Sequence, residues 1–158
     1  MRYMDQAVLN MYYRYIFMTS CTPFRTVNAE SISEMVDVFY GKVREDPLLG
    51  PIFADVIGDD WGPHLAKMKA FWSSVLLASR TYKGNPMLAH LQLPPLSARH
   101  FDRWLKLWRE TGAEICSEEV ASVFVQRAEM IAGRLMHAIS MYHGSMHASA
   151  YAADQAQR

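Results

Sequence analysis

Six histidines, at positions 64, 90, 100, 137, 143 and 147, are the residues of this chain best suited to hold a metal or move a proton. None lies in an HExxH pattern, and neither Cys21 nor Cys116 belongs to a CxxC pair, so a protein-only zinc centre is not expected. His143 and His147 have the spacing of two ligands on one helix face, but Gly144 interrupts them in a small, polar tail. No P-loop, dinucleotide fingerprint or GxSxG elbow is present, so nucleotide and acyl chemistry have no template here. What remains is a pocket. His64, Met68, Phe71 and Trp72 recur at steps of four, seven and eight and share one face of a helix. Tyr40 ends a similar stripe one helix earlier, and Trp104 stands on the inward face of a later one. Tyr, His and Trp each join a large apolar body to one polar handle. Three of them facing a common space make a dry cavity with a few donors, the usual anatomy of a small-ligand or cofactor site. Taken singly, each is ordinary core packing. His90 and His100 stand ten residues apart on either side of Pro94-Pro95, and either could be a ligand.

The elements that must carry these residues are helical. Ser31 and Glu34 have capping-box spacing ahead of Ile32, Met35, Val36, Phe39, Tyr40 and Val43, which recur at helical intervals. That helix should end near Arg44 to Asp46, before Pro47. The next stretch, DPLLGPIFADVIGDD, reads as turns and short helical pieces. A longer helix is expected from about Gly62-Pro63 to Ser79. Asn85-Pro86 caps and opens a short helix, PMLAHL, which Pro94-Pro95 must end. Ser97 can cap another, with Phe101, Trp104, Leu105, Trp108 and Ile115 inward. Ser117-Glu118-Glu119 opens the last, whose stripe is Val120, Phe124, Ala128, Ile131 and Leu135 and which should end near Ser140. No stretch alternates with period two for long enough to be a strand. The expected class is all-α.

The totals agree. A chain of 158 residues, 51% hydrophobic, fits one domain with a full core. Sixteen basic residues balance sixteen acidic ones, which argues against a nucleic-acid partner. Two scattered cysteines point to a reducing compartment, and no run suits a membrane span, so a cytoplasmic protein is expected. Residues 1–25 read as an N-terminal extension, 26–142 as the domain and 143–158 as a flexible, frayed C-terminal tail.

In order and spacing, FYGKVREDPLLGPIF, DDWGPHLAKMKAFWSSVLL, YKGNPMLAHLQLPPL and HFDRWLKLW resemble the group III truncated haemoglobins, and QRAEMIAGRL is similar to their closing segment. The resemblance covers about residues 26 to 142. It implies a truncated globin fold, a two-over-two helical sandwich around haem b. Like that family, the chain has no Gly-Gly pair. The resemblance makes His90 the proximal iron ligand and Tyr40, His64 and Trp104 the distal residues. It sets Phe53 and Met68 against the porphyrin and Lys67 near a propionate. Physical chemistry favours the same histidine. An iron ligand needs a rigid mount and a bond to its other ring nitrogen. The short helix between Asn85-Pro86 and Pro94-Pro95 offers that mount, whereas His100 lies beside Arg99 and Asp102 in a wetter setting.

The function implied is binding of a diatomic gas (O2 foremost, with NO and CO as other ligands). Oxygen delivery, nitric-oxide dioxygenation and peroxidase-like chemistry are all compatible with it, the last two needing an external reductase. Two other classes stay open at this point. One is a haem-free helical interaction module. The other is a hexacoordinate haem sensor or electron-transfer protein in which His64 binds iron.

Overall fold

A computed structural model describes residues 22–93 and 96–156, with side chains up to residue 142. Six helices occur among them: α1 (Ala29–Glu45), α2 (Gly50–Ile57), α3 (Trp61–Leu77), α4 (Pro86–Leu91), α5 (Ala98–Ile115) and α6 (Glu118–Ala156). The described residues contain no strand, only an isolated bridge between Phe24 and Cys116. There the Phe24 N–H donates to the Ile115 carbonyl and the Ser117 N–H to the Phe24 carbonyl, each at 2.9 Å. The expected prolines 94 and 95 and most of the N-terminal extension, residues 1–21, lie outside the described residues.

The helices form the expected two-over-two sandwich. α1 packs on α3, α5 packs on α6, and α1 crosses α5 to join the two pairs. The short α2 rests on α1, and α4 rests on α6. The apolar stripe of α1 is buried as its period requires, from Ile32 to Val43. Its cap differs from expectation. Asn28, not Ser31, is the N-cap: its side chain accepts from the Ser31 N–H at 2.8 Å, and the Ser31 hydroxyl accepts from the Asn28 N–H at 2.9 Å. Ser31 is fully buried inside the first turn, so its hydroxyl can only turn back towards Asn28.

The last helix also differs. It continues past Ser140 to Ala156. Alanines at 148, 150, 152, 153 and 156 supply high helix propensity, which outweighs Gly144.

Two local devices set the corner between α1 and α2, and hence the position of Phe53. A side chain at Gly50 would put a Cβ 2.8 Å from the Arg44 carbonyl oxygen, so the close approach of backbones needs glycine. Asp46 is buried, and its Oδ1 accepts from the N–H groups of Leu48 and Leu49 at 3.0 and 2.9 Å. Its Oδ2 accepts from Arg103 Nε on α5 at 2.5 Å. Burial alone would raise the Asp46 pKa, but the Leu49 N–H, Arg103 and the Leu48 N–H outweigh it and hold the carboxyl below its ordinary value. Because the unfolded chain binds this proton more readily, the stabilisation is complete above about pH 4 and is lost as pH falls through the lower folded value. Asp46→Asn keeps an acceptor for the two N–H groups and removes the ion pair. It should lower stability by about 1 kcal/mol at neutral pH, read from the urea midpoint at constant slope. An unchanged midpoint would mean that the Arg103 pair contributes nothing.

Candidate functional site

A cavity of about 640 Å³ opens between the two helix layers. Tyr40, Phe53, His64, Lys67, Met68, His90 and Trp104 all line it. They come from α1, α2, α3, α4 and α5, so five elements converge on one space.

Tyr40, Phe53 and His64 form an aromatic cluster. The Tyr40 and His64 rings lie edge to face, with centroids 5.1 Å apart, and Phe53 is 5.7 Å from Tyr40. Trp61 joins them at 6.0 Å from His64 and is covered by the Arg44 guanidinium at 5.0 Å. Sequence reasoning missed Trp61, although it lies three residues before His64 and therefore on a neighbouring face of the same helix. Tyr40 is 4% exposed, and burial holds its phenol protonated far above the ordinary range. Its hydroxyl is a hydrogen-bond donor at any physiological pH.

His64 is half-buried at the start of α3. Burial, and then the positive charge of Lys67, hold its pKa below the usual histidine value, so the ring is neutral near pH 7. Its Nε2 is buried with no hydrogen-bond partner among the described residues. An orphaned polar atom of this kind is costly unless something in the site completes it.

The two histidines around the Pro-Pro pair both line the cavity, but their hydrogen bonds are opposite. His90 Nδ1 lies 2.7 Å from the Pro86 carbonyl oxygen. A carbonyl can only accept, so Nδ1 carries the proton and Nε2 presents a lone pair. Asn85 fixes this turn by accepting from the Leu88 N–H at 3.1 Å, and Pro86 stands at the first helical position. His100 Nδ1 accepts from the Ser97 N–H at 2.9 Å and bonds the Ser97 hydroxyl at 3.0 Å. A backbone N–H can only donate, so the neutral His100 ring carries its proton on Nε2. His90 has the tautomer of a metal ligand, and His100 is spent on capping α5. The spacing of Ser97 and His100 is that of a capping box, which was the available signal for this role.

No group of three or more His, Cys, Asp or Glu suited to a metal occurs among the described residues. The side chains of His143 and His147 lie outside them. Cys116 is free and buried, and burial pushes its thiol up to about 11. Among the described residues no helix is long and apolar enough to cross a membrane.

No family model matches the chain. It is 42% identical over 124 residues to the Group 3 truncated hemoglobin ctb of Campylobacter jejuni, which covers 77% of this chain and 98% of that protein. It is 29% identical over 120 residues to the Group 2 truncated hemoglobin YjbI of Bacillus subtilis, covering 73% of this chain and 88% of the relative. The fold matches the crystal structure of the group III truncated hemoglobin from Campylobacter jejuni with a TM-score of 0.72 and 41% identity, over 75% of this chain and 95% of that one. A truncated oxygen-avid haemoglobin from Bacillus subtilis matches with a TM-score of 0.60 and 27% identity, over 69% and 93% of the two chains.

Proposed function

The chain belongs to the group III truncated haemoglobin family, and on that premise we propose that it holds haem b in the cavity and binds a diatomic gas there, dioxygen foremost. Bound haem would supply the iron that takes up the gas. The observation that carries this reading is the His90 ring, whose Nδ1 is tied to the Pro86 carbonyl so that Nε2 is free to bind a metal. The residues around it fit the same occupant. Phe53 and Met68 offer an apolar wall to a porphyrin, and Lys67, exposed at the edge of the cavity, offers a cation to a propionate.

The remaining residues act on the gas. Tyr40 O–H and Trp104 indole N–H are the donors for the polar end of a bound ligand, both carried on the cavity wall. His64, neutral and at the start of its helix, is a third donor or a gate for entry. Its unpartnered Nε2 also favours a second reading, in which His64 itself takes the sixth position on iron.

Reaction beyond binding, such as nitric-oxide dioxygenation or peroxide reduction, would draw its electrons from an external donor, a reductase in the first case. A free, protonated Cys116 suits a reducing cytoplasm.

Absorption spectra of the ferric, ferrous and ferrous carbon monoxide forms test the reading. A Soret band and a five-coordinate ferrous spectrum are expected. A six-coordinate ferrous spectrum would favour His64 ligation. A chain that takes up no haem on reconstitution would be the haem-free helical module instead.

A further inference from the structure

Three indoles run through the core beside the cavity. Trp104 lines the cavity and stacks on Trp108, with centroids 5.5 Å apart and planes 8° apart. Trp108 stacks in turn on Trp72, at 4.4 Å and 20°. Trp72 lines the cavity again, while Trp108 lies between its two neighbours and is 0% exposed. Phe39 sets its ring edge to face against both Trp104 and Trp108, at 5.4 and 4.8 Å, and so holds the array rigid.

Parallel indoles share a missing electron over more than one ring, which makes any one of them easier to oxidise. Rigid, dry surroundings keep the reorganisation on electron transfer small. Burial of a positive charge opposes the oxidation. Delocalisation offsets this, and so does the Phe124 carbonyl, whose oxygen accepts from Trp108 Nε1 at 3.2 Å and turns its negative end towards the ring. The same carbonyl is too weak a base to remove the indole proton. An oxidised Trp108 would therefore remain a protonated cation radical.

From this geometry we infer that the Trp104–Trp108–Trp72 stack is an internal one-electron donor to the haem site during reduction of hydrogen peroxide. The inference rests on the haem reading above. Reduction of one hydrogen peroxide to two waters consumes two electrons and two protons. Bound ferric haem would supply one electron and the stack the other, while both protons would come from solvent. The stack is left one electron short. Two one-electron donors of the phenol class then restore iron and indole, each phenol giving up an electron and a proton. The chain thus acquires a peroxidase activity whose second oxidising equivalent is stored on protein.

The test uses the full ferric haem-loaded chain mixed with one equivalent of hydrogen peroxide and frozen rapidly for electron paramagnetic resonance. The expected result is an organic radical whose lines narrow when the chain carries ring-deuterated tryptophan, with the optical absorption of a protonated indole radical. In Trp108→Phe, with folding checked by far-ultraviolet circular dichroism, the radical yield should fall severalfold. An unchanged yield in that variant overturns the inference. So does a radical that narrows only with ring-deuterated tyrosine, or peroxide consumption without any radical in the wild type. If Trp108→Phe does not fold, Trp72→Phe takes its place, and an unchanged radical yield in that variant overturns the inference equally. A chain with no Soret band sinks the haem reading and this inference together, whereas a Soret band with no tryptophan radical sinks this inference only.

Discussion

Replacing His90 with Ala is expected to abolish haem retention or weaken it severely, while His100→Ala leaves the Soret band of the reconstituted protein nearly unchanged. The contrast follows from the two hydrogen-bond patterns. His90 Nδ1 is committed to the Pro86 carbonyl at 2.7 Å, which leaves Nε2 as a lone-pair donor held at a defined angle by a six-residue helix. If His90 holds the iron as proposed, removing the ring would delete that bond to the metal, and loss of such a ligand would remove far more binding than loss of an apolar contact with the porphyrin. His100 donates nothing comparable, because its Nδ1 accepts from the Ser97 N–H. Its loss should cost the α5 cap part of its stability, about 1 kcal/mol, without touching the iron. The measurement is the rate at which haem passes from each variant to an excess of a haem-scavenging protein, followed in the Soret region. If the His100 variant loses haem and the His90 variant keeps an unchanged ferrous spectrum, the assignment is reversed.

Tyr40→Phe should speed dissociation of dioxygen by roughly two- to twelvefold. A net hydrogen bond contributes about 0.5–1.5 kcal/mol, more when the acceptor is charged, and 1.4 kcal/mol is a factor of ten. Tyr40 is suited to this role because burial keeps its phenol protonated and its ring sits 5.1 Å from that of His64 within the cavity wall. The substitution removes one oxygen atom and almost no packing. Trp104→Phe would be harder to read, since it removes a donor and also breaks the stack on Trp108. Carbon monoxide is less polar when bound and accepts weaker hydrogen bonds, so its off-rate in Tyr40→Phe should change much less. Flash photolysis and stopped-flow displacement give both rates. If both match the wild type, Tyr40 is not the donor, and Trp104 or His64 must be.

The helical stripes were legible from residue spacing alone. The period that places Ile32, Met35, Val36, Phe39 and Tyr40 on one face is a property of a single helix, and all five are buried. The mount of His90 was equally local: Asn85 caps it and Pro86 opens it, within six residues of the ring they position. Tyr40, His64, Met68 and Trp104 line the cavity from faces that spacing marked as inward, whereas Phe53 and the exposed Lys67, which also line it, were expected from the family resemblance alone.

Tertiary structure decided what neighbours those faces meet. Periodicity marks Trp72, Trp104 and Trp108 as inward but says nothing of their stacking, because that depends on how α3 and α5 pack within the core. The Asp46–Arg103 pair joins groups 57 residues apart and could not be read from either local segment. The cap of α1 is Asn28 and not Ser31, because Ser31 is buried within the first turn and its hydroxyl bonds back to the Asn28 backbone. The free Nε2 of His64 likewise emerged only when Tyr40, Phe53 and Trp61 closed around it. Spacing along one helix determines which side chains face inward, since that is set by the backbone of that helix. Which groups find a partner there depends on the angles and offsets at which helices pack, and those are set by all the side chains at each contact together.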